Sequence, residues 1–184
     1  MNQLASPGQL RASFLRWALV LVPIVVLGGF VSSLVSGNVA TNLWFNDLAK
    51  PALYPPPETF SIVWTVLYIV MGLAVAMVAA ARGAPGRGLA IALFFVQRLL
   101  NLAWSPLFFG LHEMTKALWL LVVLDVAVLA TIAAFWRVRM PAALLLVPYL
   151  AWLLFATVLN WQFLEANPDA DGGASASSVT RMQF

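Results

Sequence analysis

The chain has 184 residues, of which 62% are hydrophobic and only 9% are charged, and its mean hydropathy is +0.91. A composition this apolar excludes a soluble globular domain and indicates a membrane protein. The net charge of +3 does not indicate nucleic-acid binding, because the few basic residues lie where they would orient membrane spans. The sequence contains no cysteine, which excludes disulfides, thiolate nucleophiles and iron–sulfur clusters.

Five apolar stretches are each about as long as a bilayer requires. We therefore expect an all-α membrane protein, built as a bundle of five transmembrane helices. Residues 1–13 predict a polar N-terminal tail, and residues 165–184, rich in Ala, Ser, Gly and Asp, predict a disordered C-terminal tail. The predicted spans cover residues 14–34, 60–81, 89–110, 117–136 and 142–164.

Basic residues separate unequally between the two ends of this bundle. Six arginines fall at the end that holds the N-terminus, against three basic residues at the other end. The positive-inside rule then predicts a cytoplasmic N-terminus and an external C-terminus. A helical bundle favours the cytoplasmic membrane of a bacterium, and an outer or organellar membrane stays open. The larger group is Arg11, Arg16, Arg82, Arg87, Arg137 and Arg139, and the smaller is Lys50, Lys116 and Arg181.

The third span carries amides and rings on one face. Gln97, Asn101, Trp104 and Phe108 follow at i, i+4, i+7 and i+11, which is a single helical stripe. Amides cannot face hydrocarbon unsatisfied, so this stripe must face the bundle interior or a cavity. It indicates either a pocket for a flat apolar ligand or hydrogen bonds between packed helices.

The second and fifth spans carry similar stripes. On the second span, one face is aromatic and the opposite face has small residues suited to helix contact. On the fifth span, an aromatic-to-amide stripe repeats the pattern of the third. The residues are Phe60, Trp64, Tyr68 and Met71 on the second span, and Tyr149, Trp152, Ala156 and Asn160 on the fifth.

Two ionisable side chains lie inside the predicted spans. Arg98 on the third span and Asp125 on the fourth fall at comparable depth, since a short loop joins these antiparallel neighbours. We expect an intramembrane ion pair, either structural or part of a hydrophilic path. The alternative is that Arg98 extends to the interface and leaves Asp125 protonated or solvated.

The loop over residues 36–58 is rich in proline. Such a density of proline predicts a stiff, extended segment that acts as a lid, or equally as a rigid connector. The candidate lid residues are Lys50, Pro51, Tyr54, Pro55 and Pro56.

Three groups of residues occur in a characteristic order. They are Lys50-Pro51 with Pro55-Pro56, Phe60, Trp64, Leu67-Tyr68 and Met71-Gly72; Gln97 with Asn101, Trp104 and Phe108-Phe109-Gly110; and Pro148-Tyr149-Leu150-Ala151-Trp152 with Phe155-Ala156 and Leu159-Asn160. Together with Trp44 they resemble the TspO/MBR family, which comprises tryptophan-rich sensory proteins and the mitochondrial translocator protein. The similarity covers roughly Trp44 to Asn160.

This resemblance implies a five-helix bundle, often dimeric, that binds porphyrins and, in mitochondrial members, cholesterol and synthetic drugs. It also implies that Trp64, Asn101, Trp152 and Ala156 are pocket residues. Indoles would stack on a flat macrocycle, and a small Ala156 would leave room for it.

The chain departs from the family pattern at several positions. Leu53 replaces an aromatic residue of the lid, Arg98 replaces a leucine, and Lys116 replaces a tryptophan near the pocket mouth. Trp161 and Glu165 stand where the sterol-recognition segment has an aromatic and then a basic residue, so the segment lacks its cation and predicts weak or no cholesterol binding.

Three functions remain in view. The first is a porphyrin- or haem-like-tetrapyrrole-binding protein that transports, sequesters or senses its ligand, with Lys50 or Lys116 meeting propionate groups. The second is an enzyme in which Trp64 and Trp152 support light-dependent porphyrin degradation. The third is a structural or partner-modulating protein. No cofactor or metal site is expected, and His112, the one histidine, predicts a surface loop residue rather than a haem ligand.

Overall fold

The computed structural model describes residues 7–37 and 39–173. These residues form α-helices and no β-strand, and five of the helices are long and apolar enough to cross a bilayer. This confirms the all-α, five-span fold. The helices are α1 (Pro7–Val35), α2 (Leu43–Asp47), α3 (Pro57–Ala80), α4 (Arg87–Ser105), α5 (Met114–Val138) and α6 (Met140–Ala166).

The helices extend beyond the apolar stretches from which they were predicted. Helix α1 begins at Pro7, so residues 7–13 of the predicted polar N-terminal tail are helical, and residues 1–6 lie outside the described part. Hydropathy reports only the lipid-crossing portion, whereas the backbone hydrogen bonds of a helix continue through polar residues at its ends.

The five long helices form a closed ring. Helix α1 packs on α3, α3 on α6, α6 on α5, and α5 on α4, while α4 touches both α1 and α3. Because α3, α4 and α6 border the same interior, the three predicted stripes face a common space. Helix α1 is the least embedded helix, since most of its large apolar side chains are exposed to the lipid side.

Glycines set the contact between α1 and α3. A Cβ at Gly72 would lie 2.7 Å from the Cα of Val22, and a Cβ at Gly29 would overlap the ring of Tyr68. Small residues therefore allow the two backbones to approach closely, as expected for the small-residue face of the second span. Ser32 strengthens the seam with α4 by donating to the carbonyl of Leu102 at 2.7 Å.

The predicted lid is only partly extended. A 3-10 turn (Val39–Thr41) and α2 fill its first half, and α3 begins at Pro57, which is a favourable first position for proline. Trp44, Phe45 and Leu48 are buried against the end of the bundle. The expectation of a uniformly extended loop is therefore wrong, because these apolar side chains gain more from burial on a short helix.

The segment that follows α6 is also folded in part. Residues Pro168–Gly173 form a 3-10 segment, and Ala170 is buried. The disordered tail expected over residues 165–184 is therefore wrong up to Gly173, while residues 174–184 lie outside the described part. Side-chain hydrogen bonds to distant elements hold this segment, and the composition gave no sign of them.

Candidate ligand-binding site

A cluster of polar and aromatic side chains occupies the interior between α3, α4 and α6. We call it the interior cluster, and it consists of Tyr68, Gln97, Arg98, Asn101 and Tyr149. The Tyr149 hydroxyl donates to Gln97 Oε1 at 3.0 Å, and Arg98 Nη1 donates to Asn101 Oδ1. The guanidinium lies 4.2 Å from the centre of the Tyr68 ring. The structure thus joins side chains from three of the predicted spans.

Trp64 lies at the edge of the interior cluster. Its ring centre is 5.3 Å from that of Tyr68 and 6.4 Å from that of Tyr149. Trp64 is half-buried, whereas Tyr149 is fully buried. Aromatic faces therefore line one side of the cluster and hydrogen-bonding groups line the other.

The predicted ion pair between Arg98 and Asp125 is not formed. Arg98 donates to Asn101 and, at 2.6 Å, to the carbonyl of Val25, while Asp125 accepts from Thr157 at 2.9 Å. Similar depth did not bring the two charges together, because Arg98 points toward α1 and α3 and Asp125 points toward α6. Within residues 7–37 and 39–173, the one close ion pair joins Lys116 and Glu113 at 2.7 Å.

Trp104 and Phe108 belong to a second group nearer the lid end. Trp104 stacks on Phe108 with a centroid distance of 5.2 Å, and it donates to Asn160 Oδ1 at 3.2 Å. We call this group the aromatic cap. It surrounds the π-helical turn Pro106–Gly110, where the backbone hydrogen bonds change from the α-helical to the π-helical pattern after a proline. The cap contains Trp44, Phe45, Tyr54, Trp104, Phe108, Phe109 and Phe163.

Trp152 lies between the interior cluster and the aromatic cap. Its ring centre is 5.8 Å from Phe60 and 5.2 Å from Phe155. Its indole Nε1 is buried, and no acceptor for it exists among the described residues. Ala156 is half-buried on the next turn of α6. The stripe predicted on the fifth span thus passes from Tyr149 in the cluster to Asn160 in the cap.

Two of the lid residues lie at the aromatic cap: Tyr54 is part of it, and Lys50 lies over the ring of Phe45. Tyr54 packs 5.5 Å from Phe60, and burial raises the pKa of its hydroxyl. Lys50 donates to the carbonyls of Phe45 and Leu48, so it closes the end of α2. Burial lowers the pKa of Lys50, and the carboxylate of Asp47 opposes this change. Of the lid prolines, Pro51 accepts a hydrogen bond from the Tyr54 amide at 2.9 Å, and Pro55 and Pro56 connect Tyr54 to α3.

Tyr149 occupies part of the region between Trp64, Asn101 and Trp152 in which the pocket is expected: it is fully buried, and its ring centre lies 6.4 Å from that of Trp64. An empty apolar cavity is costly, which favours such filling of the interior by a side chain. A cavity of about 280 Å³ lies elsewhere, between α5 and α6 on the lipid-facing side. Its lining is Leu118, Trp119, Val122, Thr157, Val158 and Trp161.

His112 is more enclosed than the surface residue the sequence predicted. Its ring stacks on Trp44 at 4.4 Å, and its carbonyl accepts from the Gly172 amide at 3.0 Å. Among the described residues, no group of three His, Asp or Glu side chains is placed to hold a metal ion. The histidine therefore belongs to the packing between the lid and the C-terminal segment.

Sequence reasoning missed several partners of the site. Thr157 holds Asp125, the Val25 carbonyl holds Arg98, and Asp171 accepts hydrogen bonds from the amides of Met114 and Thr115. These contacts join residues far apart in the chain, so no local spacing reports them. Asp169 lies two residues before Asp171, so the sequence did not indicate which of the two carboxylates makes these contacts.

A sequence model of the TspO/MBR family matches residues 19–165. The chain belongs to the TspO/MBR family. It is therefore an integral membrane protein, and the resemblance predicted from the three motif groups is confirmed.

Relatives in this family come from bacteria and animals. The chain is 40% identical to "Tryptophan-rich protein TspO" of Chlorobaculum tepidum over 141 residues, which are 76% of this chain and 89% of that protein. It is 35% identical to "Tryptophan-rich sensory protein" of Cereibacter sphaeroides, covering 82% of this chain and 92% of the relative. It is 38% identical to human "Translocator protein", covering 71% and 78%. The TspO/MBR match includes the interior cluster and ends before Pro168–Gly173.

Proposed function

We propose that this TspO/MBR-family membrane protein binds a porphyrin-type tetrapyrrole inside its helix bundle and acts in transport, sequestration or sensing. The observation that carries the proposal is a pair of buried donors without acceptors among the described residues, Gln97 Nε2 and Trp152 Nε1. Gln97 contacts Tyr149, and the Trp152 ring lies beside Phe60 and Phe155, so aromatic rings surround both donors. Buried polar groups normally have partners, so these two favour a ligand with acceptor groups. A flat macrocycle suits the ring faces.

Ligand binding in this proposal requires the bundle to open. Tyr149 occupies the space beside Trp64, so a macrocycle would enter only when α3 and α6 separate. In this proposal the ligand selects an arrangement in which α3 and α6 lie further apart. The buried lid residues would cover the entered ligand at the cap end.

Tryptophan fluorescence tests this proposal directly. We expect protoporphyrin to quench the purified protein in an uncharged detergent, and we expect Trp64→Phe and Trp152→Phe to weaken binding roughly three- to tenfold because each loses an indole surface. Trp119→Phe is the matched control, since Trp119 is 66% exposed on the lipid side and far from the cluster.

Two results would contradict the proposal. One is the absence of any saturable quenching by protoporphyrin. The other is a loss of binding confined to Trp119→Phe, which would place the ligand in the α5–α6 cavity. Illumination of the complex then separates binding from degradation, because new product spectra that require Trp64 and Trp152 would favour the enzyme.

The finer cellular assignments are also proposals. We propose a bacterial cytoplasmic membrane with the N-terminus inside, supported by the six arginines at one end of the helices. We propose a homodimer and weak or no cholesterol binding, supported by the family resemblance and by Glu165 at the position of the sterol segment's cation. Light scattering in detergent and a sterol competition assay measure these two properties.

A further inference from the structure

Arg98 is a buried cation without a counter-charge. It is 4% exposed and lies within the membrane-spanning part of α4. Its hydrogen-bond partners, the Asn101 side chain, the Val25 carbonyl and the Tyr68 hydroxyl, are neutral. No carboxylate in residues 7–37 and 39–173 forms an ion pair with it.

Such a charge is expensive unless something compensates it. An ionised group in an apolar interior loses its hydration, and neutral acceptors and a ring face return only part of that free energy. The Tyr68 ring supplies the ring face at 4.2 Å. The site therefore retains a net attraction for an anionic group.

Arg98 and the preceding residue also carry donors that the described residues do not satisfy. The guanidinium has more N–H groups than Asn101, Val25 and Tyr68 accept. Gln97, one residue earlier, has a buried Nε2 with no acceptor in the described part of the chain. A carboxylate would satisfy both side chains, because it offers two oxygens and a negative charge.

The two lysines expected to meet an acidic ligand are engaged elsewhere. Lys50 donates to carbonyls of the lid, and Lys116 pairs with Glu113. Arg98 is thus the cation within the interior cluster, and it lies beside the Tyr68 ring. On its α1 side, Gly28 faces the guanidinium, and a Cβ at this position would lie 3.6 Å from Nη2, in ordinary contact.

We propose that Arg98 is a specificity-determining residue that binds a carboxylate of the ligand. The site then selects flat apolar compounds that bear an acid group over the same compounds with that group esterified. This inference rests on the proposed function for the identity of the macrocycle. The anion site itself follows from the contacts of Arg98 and does not depend on the proposed function.

The test compares protoporphyrin with its dimethyl ester on the full-length protein. The wild type should bind the diacid roughly tenfold or more tightly than the diester, because charge-assisted hydrogen bonds are the stronger class. In Arg98→Leu and Arg98→Gln, the two ligands should bind with similar affinity. Arg137→Gln is the control, since it removes the same charge from an exposed position and should preserve the preference.

A second probe separates this inference from the proposed function. Pyrenebutyrate and the uncharged pyrenebutanol present the same contrast on a smaller ring system, and thermal stabilisation reports their binding. If no porphyrin binds but pyrenebutyrate stabilises the wild type and not Arg98→Leu, the proposed function fails and the anion site stands. Equal binding of acid and uncharged forms by the wild type, or an equal loss of both in Arg98→Leu, overturns the anion site.

Discussion

Gly29 holds the Tyr68 ring in place beside Arg98. The ring lies against the glycine on one side and the guanidinium on the other, so it has little room to move. At the neighbouring Gly28, an added Cβ would lie 3.6 Å from Arg98 Nη2 and 3.8 Å from Leu102 Cδ1, which are ordinary contact distances. Two adjacent glycines therefore differ in what a methyl group would meet.

This difference gives a matched pair of variants. Gly29→Ala should lower the free energy of unfolding by about 1–3 kcal/mol, because its methyl group would overlap Tyr68 and displace it. Gly28→Ala should leave that free energy unchanged or raise it by up to about 1 kcal/mol, since alanine is the better helix former. Thermal melting in detergent measures both, and equal effects of the two variants would contradict the packing described for Tyr68.

The sequence predicted single residues well where one helix decided their direction. The spacing of Gln97 and Asn101 placed both in the interior, and the structure confirms that position. The partner of Arg98 was wrong, because depth in the membrane does not tell which neighbouring helix a side chain faces. That information comes only from the ring order of the helices.

The C-terminal segment connects three elements at the lid end. Asp171 accepts from the Met114 amide at 2.6 Å and from the Thr115 amide at 3.2 Å, so it caps the start of α5. The Ala170 carbonyl accepts from Trp44 Nε1 at 3.0 Å, and Asn167 accepts from the Ala49 amide at 2.7 Å. The segment thereby ties α5 to the lid.

Removing the Asp171 side chain, which caps the start of α5, should loosen the lid. Asp171→Ala should cost about 1 kcal/mol of stability and should speed amide hydrogen exchange in residues 43–48, because α5 and Trp44 lose their shared anchor. Exchange detected by mass spectrometry measures the change. Asp169→Ala is the control, since Asp169 carries the same charge on an exposed position. Identical exchange in the two variants would show that Asp171 does not hold the lid.

Among the elements, the spans were predictable and the segments between them were not. Five long apolar stretches can only be helices in lipid, so their number and order follow from hydropathy. The lid and the C-terminal segment depend on contacts between Trp44, Ala170 and His112, which are distant in sequence. Proline content alone therefore predicted too extended a lid.

For the whole molecule, the two ends of the bundle carry different chemistry. The turns on the N-terminal side hold arginines, and Arg16 and Arg82 line one small depression there. The opposite end holds the aromatic cap and the lid. The helices run alternately up and down, which agrees with the two groups of basic residues expected from the sequence. Arg181, a member of the smaller group, lies outside the described residues.

The natural absence of cysteine makes the orientation easy to measure. Ala52→Cys in the lid should react with a membrane-impermeant maleimide in intact bacterial cells. Ala84→Cys, in the turn between α3 and α4, should react only after permeabilisation. The reverse labelling pattern would overturn the proposed orientation, and labelling of both sites in intact cells would indicate mixed insertion.

The residues that hold the lid end together lie far apart in the chain, and their positions fix the order in which their contacts can form. Trp44 and the lid emerge between the first two long helices, yet Ala170 and Asp171 follow the last one. During synthesis, the lid cannot make these contacts until α6 and the residues that follow it have been made. Truncation shortly after α6 would therefore yield a bundle with all five spans inserted but without the contacts of Ala170 and Asp171 at the lid end.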